Sequence, residues 1–169
     1  MAETGRDRPL DASTFFPDGR SSRPLVPGTV ARGELRADQV FYTGKSGETL
    51  VDTLPLPLTR EVLERGRERF EIFCSPCHGR VGTGDGMVVR RGLRPPPSFH
   101  IERLRAAPLG HFFDVMTNGL GVMSDYAAQV RPRDRWAIAA YIRALQFSQA
   151  AALADLTPAE RQRLEAPGR

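Results

Sequence analysis

The chain has 169 residues, 40% of them hydrophobic, and a formal net charge of +4. That length suits one domain of about 90 residues with long extensions, and no apolar run approaches the ~20 residues a membrane span needs. The positive charge is almost all arginine, Lys45 being the only lysine, but these arginines do not line a helix face among aromatics, so nucleic acid is not an expected partner.

In chain order, Met1–Asp11 is charged and contains proline, without the apolar core of a secretory leader. Residues 1–58 are rich in proline and glycine. Their apolar residues (Phe15, Phe16, Leu25, Val26, Val30, Phe41, Tyr42, Leu50) are scattered rather than periodic. Only a short strand near Gln39–Thr43 is expected. Residues 1–58 read as an extended N-terminal docking arm lying along its own domain or a partner subunit; the length favours a partner, since a long structureless stretch is uncommon inside one compact domain.

The domain is expected over residues 59–150. Thr59 is a plausible N-cap, and Glu61 and Glu64 favour the helix dipole. Val62, Leu63, Gly66, Phe70 and Phe73 give one apolar stripe. Gly66 costs the helix about 1 kcal/mol relative to Ala, which predicts that another helix crosses there. Cys74-Ser75-Pro76-Cys77-His78 follows, using both cysteines of the chain. C-x-x-C-H is the attachment signature of c-type haem: two thiols reach two vinyl groups and the histidine offers a nitrogen to iron. A thioredoxin-like pair expects βαβ flanks that are not seen here. Zinc needs four ligands, whereas His100 and His111 have no ligand-like spacing to the pair. A disulfide across two residues is strained and leaves His78 without a role. Covalent haem is the stronger reading.

A glycine-rich loop (Gly79, Gly82, Gly84, Gly86) follows, and Arg80, Arg90, Arg91 and Arg94 face only Asp85 in that stretch. They are either a basic rim for an acidic redox partner or charges near the haem propionates. A carbonyl of Pro95–Pro97 is placed to take the His78 Nδ1 proton, unless the run is only a stiff connector. For the sixth ligand the candidates are Met87, Met116, Met123, His100, His111 or none. Met87 is too near His78 in sequence, and Met116 falls on a helical stripe (Leu109, Phe112, Phe113, Met116) within Pro108–Asn118. Met123 lies in a loop after Asn118-Gly119 and is the expected ligand. A second strong helix opens at Pro132-Arg133-Asp134-Arg135-Trp136 and runs through Leu145, with Ala137, Ala139 and Ala140 small enough for a close crossing. Residues 151–169 read as a C-terminal appendage, with a helix start at Thr157-Pro158-x-Glu160. Haem c is attached after export, so a leader, with or without a lipid anchor, is expected to precede Met1.

Gly66, Phe70, C-x-x-C-H, the methionine loop, Trp136 and Tyr141 together resemble a class I cytochrome c over residues 59–148. That resemblance implies an all-α domain whose first and last helices cross around one covalently bound haem. It also implies that Cys74 and Cys77 hold the vinyls while His78 and Met123 ligate iron. A narrower resemblance rests on the run Ser13-Thr14-Phe15-Phe16-Pro17-Asp18-Gly19-Arg20-Ser21-Ser22-Arg23-Pro24 and on Val26-Pro27-Gly28-Thr29-Val30-Ala31-Arg32-Gly33. Gly121-Val122-Met123-x-x-Tyr126-Ala127 and the stretch from Asp134-Arg135-Trp136 to Leu145-Gln146 agree with it. These are similar to the mono-haem cytochrome subunit of alternative complex III, a bacterial quinol:electron-acceptor oxidoreductase. Ser124 stands where that resemblance expects proline, and the N-terminal cysteine that often anchors the subunit is absent. The resemblance implies an electron-transfer subunit without catalytic residues, on the periplasmic side of the inner membrane. It would carry one haem c with its iron and relay electrons from a multi-haem subunit to a terminal oxidase or soluble carrier. A free periplasmic carrier and a five-coordinate haem enzyme or sensor are the alternatives.

Overall fold

The computed structural model describes residues 5–32, 35–152, 154 and 156–165; of the segments read above, Met1–Thr4, Gly33, Glu34, Leu153, Asp155 and residues 166–169 lie outside them. The chain forms two compact units, Met1–Ala37 and Asp38–Arg169. No helix among the described residues is long and apolar enough to cross a membrane.

Among its described residues the first unit holds turns and an isolated antiparallel bridge, Ala12 to Arg20. Asp18 accepts two hydrogen bonds from Arg23 Nη1, at 2.6 and 2.8 Å, and the Arg23 guanidinium lies 4.1 Å from the centre of the Phe16 ring. The loop is therefore locally built, while Leu10, Phe15, Leu25 and Val26 remain exposed.

The second unit begins at Asp38, so residues 38–58, read from sequence as part of the arm, fold against the helices instead. Gln39–Thr43 is helix α1 rather than a strand. Asp38 caps it by accepting from the Phe41 N–H, and the left-handed Gly44 ends it. A short hairpin follows, β1 (Lys45–Ser46) with β2 (Thr49–Leu50), in antiparallel register Lys45 to Leu50. Helix α2 (Arg60–Phe73) starts at Thr59, whose hydroxyl accepts from Val62 N–H. It leads directly into the turn α3 (Ser75–His78). After the glycine and proline loops come α4 (Glu102–Arg105), α5 (Leu109–Asn118), α6 (Pro132–Ala150) and α7 (Pro158–Glu165). Thr157 and Glu160 cap α7 reciprocally, each side chain accepting from the other's backbone N–H.

The first and last long helices, α2 and α6, cross as expected. The Ala137 carbonyl oxygen sits 2.1 Å from where a Cβ on Gly66 would be, so only a glycine admits the backbone of α6. Phe70, fully buried one turn on, meets Tyr141 edge-to-face at 5.4 Å. Arg65 closes the rim with two bonds to Asp134, at 2.8 and 3.0 Å. On the other side of α6, Trp136 stacks on Phe113 of α5 at 4.5 Å and donates its indole N–H to Phe41 O at 2.8 Å. The segment before α2 also secures the start of α5: Asp52 accepts from Leu109 N–H and Val51 O from Gly110 N–H. Those are orphan donors of a helix first turn.

Gly66→Ala is expected to lower unfolding free energy by about 1–3 kcal/mol, because overpacking at the crossing outweighs a propensity gain of about 1 kcal/mol. Denaturant titration followed by circular dichroism measures it; an alanine variant as stable as the parent would contradict this account of the crossing.

Candidate functional site

A cavity of about 490 Å³ lies inside the second unit, lined by α3, the proline run, α5, the loop before α6, and α6 itself. Its walls are mostly apolar, among them Phe73, Phe99, Phe112, Val130, Ile138 and Ile142. One wall carries Cys74, Cys77 and His78. The backbone puts them there. Cys74 N–H donates to Phe70 O and ends α2, while Cys77 and His78 N–H both donate to Cys74 O, at 3.1 and 2.9 Å. This tight turn brings all three side chains to the same cavity.

The surroundings are largely apolar. Burial pushes the Cys74 thiol up to about 12, with Cys77 adding to the effect, and pushes His78 down to about 4. Both cysteines are free thiols. His78 Nδ1 is buried with no hydrogen-bond partner among the described residues, so no carbonyl of Pro95–Pro97 takes its proton. The proline run has a different contact: Pro96 O lies 2.3 Å from where a Cβ on Gly84 would be, and Gly84 has φ +86°. The His78 ring is instead stacked on Phe99, centres 4.6 Å apart and planes 10° from parallel.

Of the candidate sixth ligands, Met116, Met123 and His111 line the cavity. Met87 is exposed, and His100 Nε2 is engaged with Val81 O at 2.7 Å; neither lines the cavity. Met116 is part of the core on α5, as its stripe implied. Met123 stands on the loop, partly buried, and its backbone pairs with Leu120 through bonds of 3.0 and 2.9 Å. Among the arginines, Arg94 lines the cavity, whereas Arg90 is bound to Asp85 at 3.0 Å and Arg80 and Arg91 stand outside it.

Sequence reasoning did not single out Phe99 or Arg103, which also line the cavity. Arg103 lies on the short helix α4, too short to leave a periodic signal. Phe99 is the first aromatic after the proline run, and that position was its only clue. Two thiols and a histidine presented together on one wall of an apolar cavity fit a c-type haem. They do not complete a zinc set, which needs four ligands.

The family model described as cytochrome c oxidase, cbb3-type, subunit III matches residues 61–142. Among solved structures, a chain of the Kuenenia stuttgartiensis reducing HAO-like protein complex is 23% identical over 63% of this chain and 54% of that chain, with a TM-score of 0.46. The present chain thus spans about half the length of that neighbour. No curated protein matches.

Gly84→Ala is expected to cost about 1–3 kcal/mol of stability, because a side chain there has both a strained φ and the Pro96 carbonyl in its way. A thermal melt of the haem-loaded chain measures it, and an unchanged midpoint would show that the glycine is not needed for the loop to meet the proline run.

Proposed function

We propose that this chain, a class I cytochrome c domain joined to a separate N-terminal unit, is the mono-haem electron-transfer subunit of a bacterial membrane quinol-oxidising complex of the alternative complex III type. The observation that carries electron transfer is the donor set on one cavity wall: Cys74, Cys77 and His78, with Met123 lining the same space.

In this reading Cys74 and Cys77 hold the vinyl groups through thioether bonds. His78 and Met123 supply the two axial positions. Bound there, haem c supplies reversible one-electron chemistry at iron, with a potential raised by His/Met ligation. The chain's own part is to hold and shield. Phe112, Val130, Ile138 and Ile142 keep water from the cavity. Arg94 and Arg103, the arginines that line it, offer charge to the propionates. No side chain is assigned a catalytic role.

The assignment to a complex, rather than to a free periplasmic carrier, is supported by the N-terminal unit. It resembles the alternative complex III subunit along Ser13–Pro24, and it exposes Leu10, Phe15, Leu25 and Val26. Electrons would arrive from a multi-haem partner and leave to a terminal oxidase or soluble carrier, on the periplasmic side of the inner membrane. Attachment to the membrane is through those partners or a lipid anchor outside this sequence.

Met123→Ala is expected to abolish the red-edge absorption band of methionine-ligated ferric haem, while Met116→Ala keeps it. High-spin ferric iron in the unmodified protein would instead favour the five-coordinate enzyme or sensor. Because the second unit starts at Asp38, deleting residues 1–37 is expected to leave the haem spectrum intact and abolish co-purification with membrane quinol-oxidising subunits. Undiminished co-purification would remove the arm as the docking element.

A further inference from the structure

Gln146 is one of the few buried polar side chains, 5% exposed on α6. A buried amide has to place both its oxygen and its nitrogen, and this one does. Its Nε2 donates to Phe99 O at 2.7 Å and to Leu104 O at 3.2 Å. Its Oε1 accepts from Arg143 Nη1 at 2.8 Å. Arg143 also donates to the carbonyls of Arg105 and Ala107, and its guanidinium lies 5.3 Å from the Phe112 ring centre. One amide thus ties both ends of the 99–104 segment to the last long helix.

What that tie holds still is Phe99. The residue is 8% exposed, and its ring lies nearly parallel to His78 and meets Phe112 edge-on at 6.1 Å. A ligating histidine is ordinarily oriented by an acceptor on its second nitrogen. Here His78 Nδ1 has none among the described residues, and the nearly parallel Phe99 ring packs on the imidazole face instead.

We infer that Gln146 is a positioning residue for His78, acting through the backbone and ring of Phe99, with Arg143 holding the amide in register. The inference rests on the proposed haem site. If the ring against His78 is lost, the imidazole is free to turn about its Cβ–Cγ bond.

The test uses the full, haem-loaded chain. Gln146→Glu keeps an acceptor for Arg143 but removes the Nε2 donors; Phe99→Leu removes the stacking ring; Phe99→Tyr keeps one. Ferric haem-methyl NMR shifts report the plane of the axial imidazole, and the midpoint potential reports its donation. The expected result is one wild-type pattern in the parent and in Phe99→Tyr, with a redistributed or broadened pattern and a displaced potential in Gln146→Glu and Phe99→Leu. Should Gln146→Glu not load haem, Gln146→Asn is read in its place. Wild-type shifts and potential in folded Gln146 and Phe99→Leu variants would overturn the inference. A parent chain that carries no haem would instead overturn the proposed function beneath it.

Discussion

The contact on which the second unit depends is the approach of two backbones where α2 meets α6. At Gly66 the missing side chain leaves room for the Ala137 carbonyl, so the helices pack at a distance that any Cβ would increase. Phe70, Tyr141 and Trp136 then fill the space beside the crossing, and Arg65 with Asp134 closes its edge. Because α2 runs straight into the Cys74–His78 turn, the crossing also fixes where the three donor residues stand relative to Ile138 and Ile142 on α6. Packing and chemistry are set by the same helix.

Low polarity dominates the cavity. Desolvation alone accounts for the lowered His78 value, and it is the first cause of the raised Cys74 value. Such a site keeps its imidazole neutral, as a metal ligand must be, without calling on a neighbouring charge. The charged groups that line the cavity, Arg94 and Arg103, are exposed. An apolar interior with cations at its margin suits a flat macrocycle that is hydrophobic over most of its area and anionic at one edge.

Much of this was legible in sequence because it rests on local rules. Thr59 caps a helix, Gly66 demands a close partner, and C-x-x-C-H places three donors within one turn. Long-range placement was less legible. Gln39–Thr43 looked like a strand by composition, but Asp38 and Gly44 close a single helical turn around it. Residues 38–58 lack periodicity, so nothing in their pattern announced that Val51 and Asp52 would supply acceptors to α5. The proline run invited a hydrogen bond to His78, yet the nearby ring of Phe99 decides that contact. Pairings of this kind are set by tertiary geometry, which no spacing records.

The indole bond from Trp136 to Phe41 joins residues 95 positions apart, and Asp52 reaches α5 across 57. Such ties have a kinetic side. Local turns such as α3 can form early, but the wall made by α5 gains its first-turn acceptors only when the stretch before α2 has come back to meet it. High sequence separation slows two-state folding, since loop closure comes before its reward. The two thiols and histidine are thus gathered by bonds between near neighbours, whereas the far side of the cavity is fastened by contacts of high sequence separation. Loosening the stretch before α2 would therefore release the α5 wall of the cavity while leaving the donor turn held by its own neighbours.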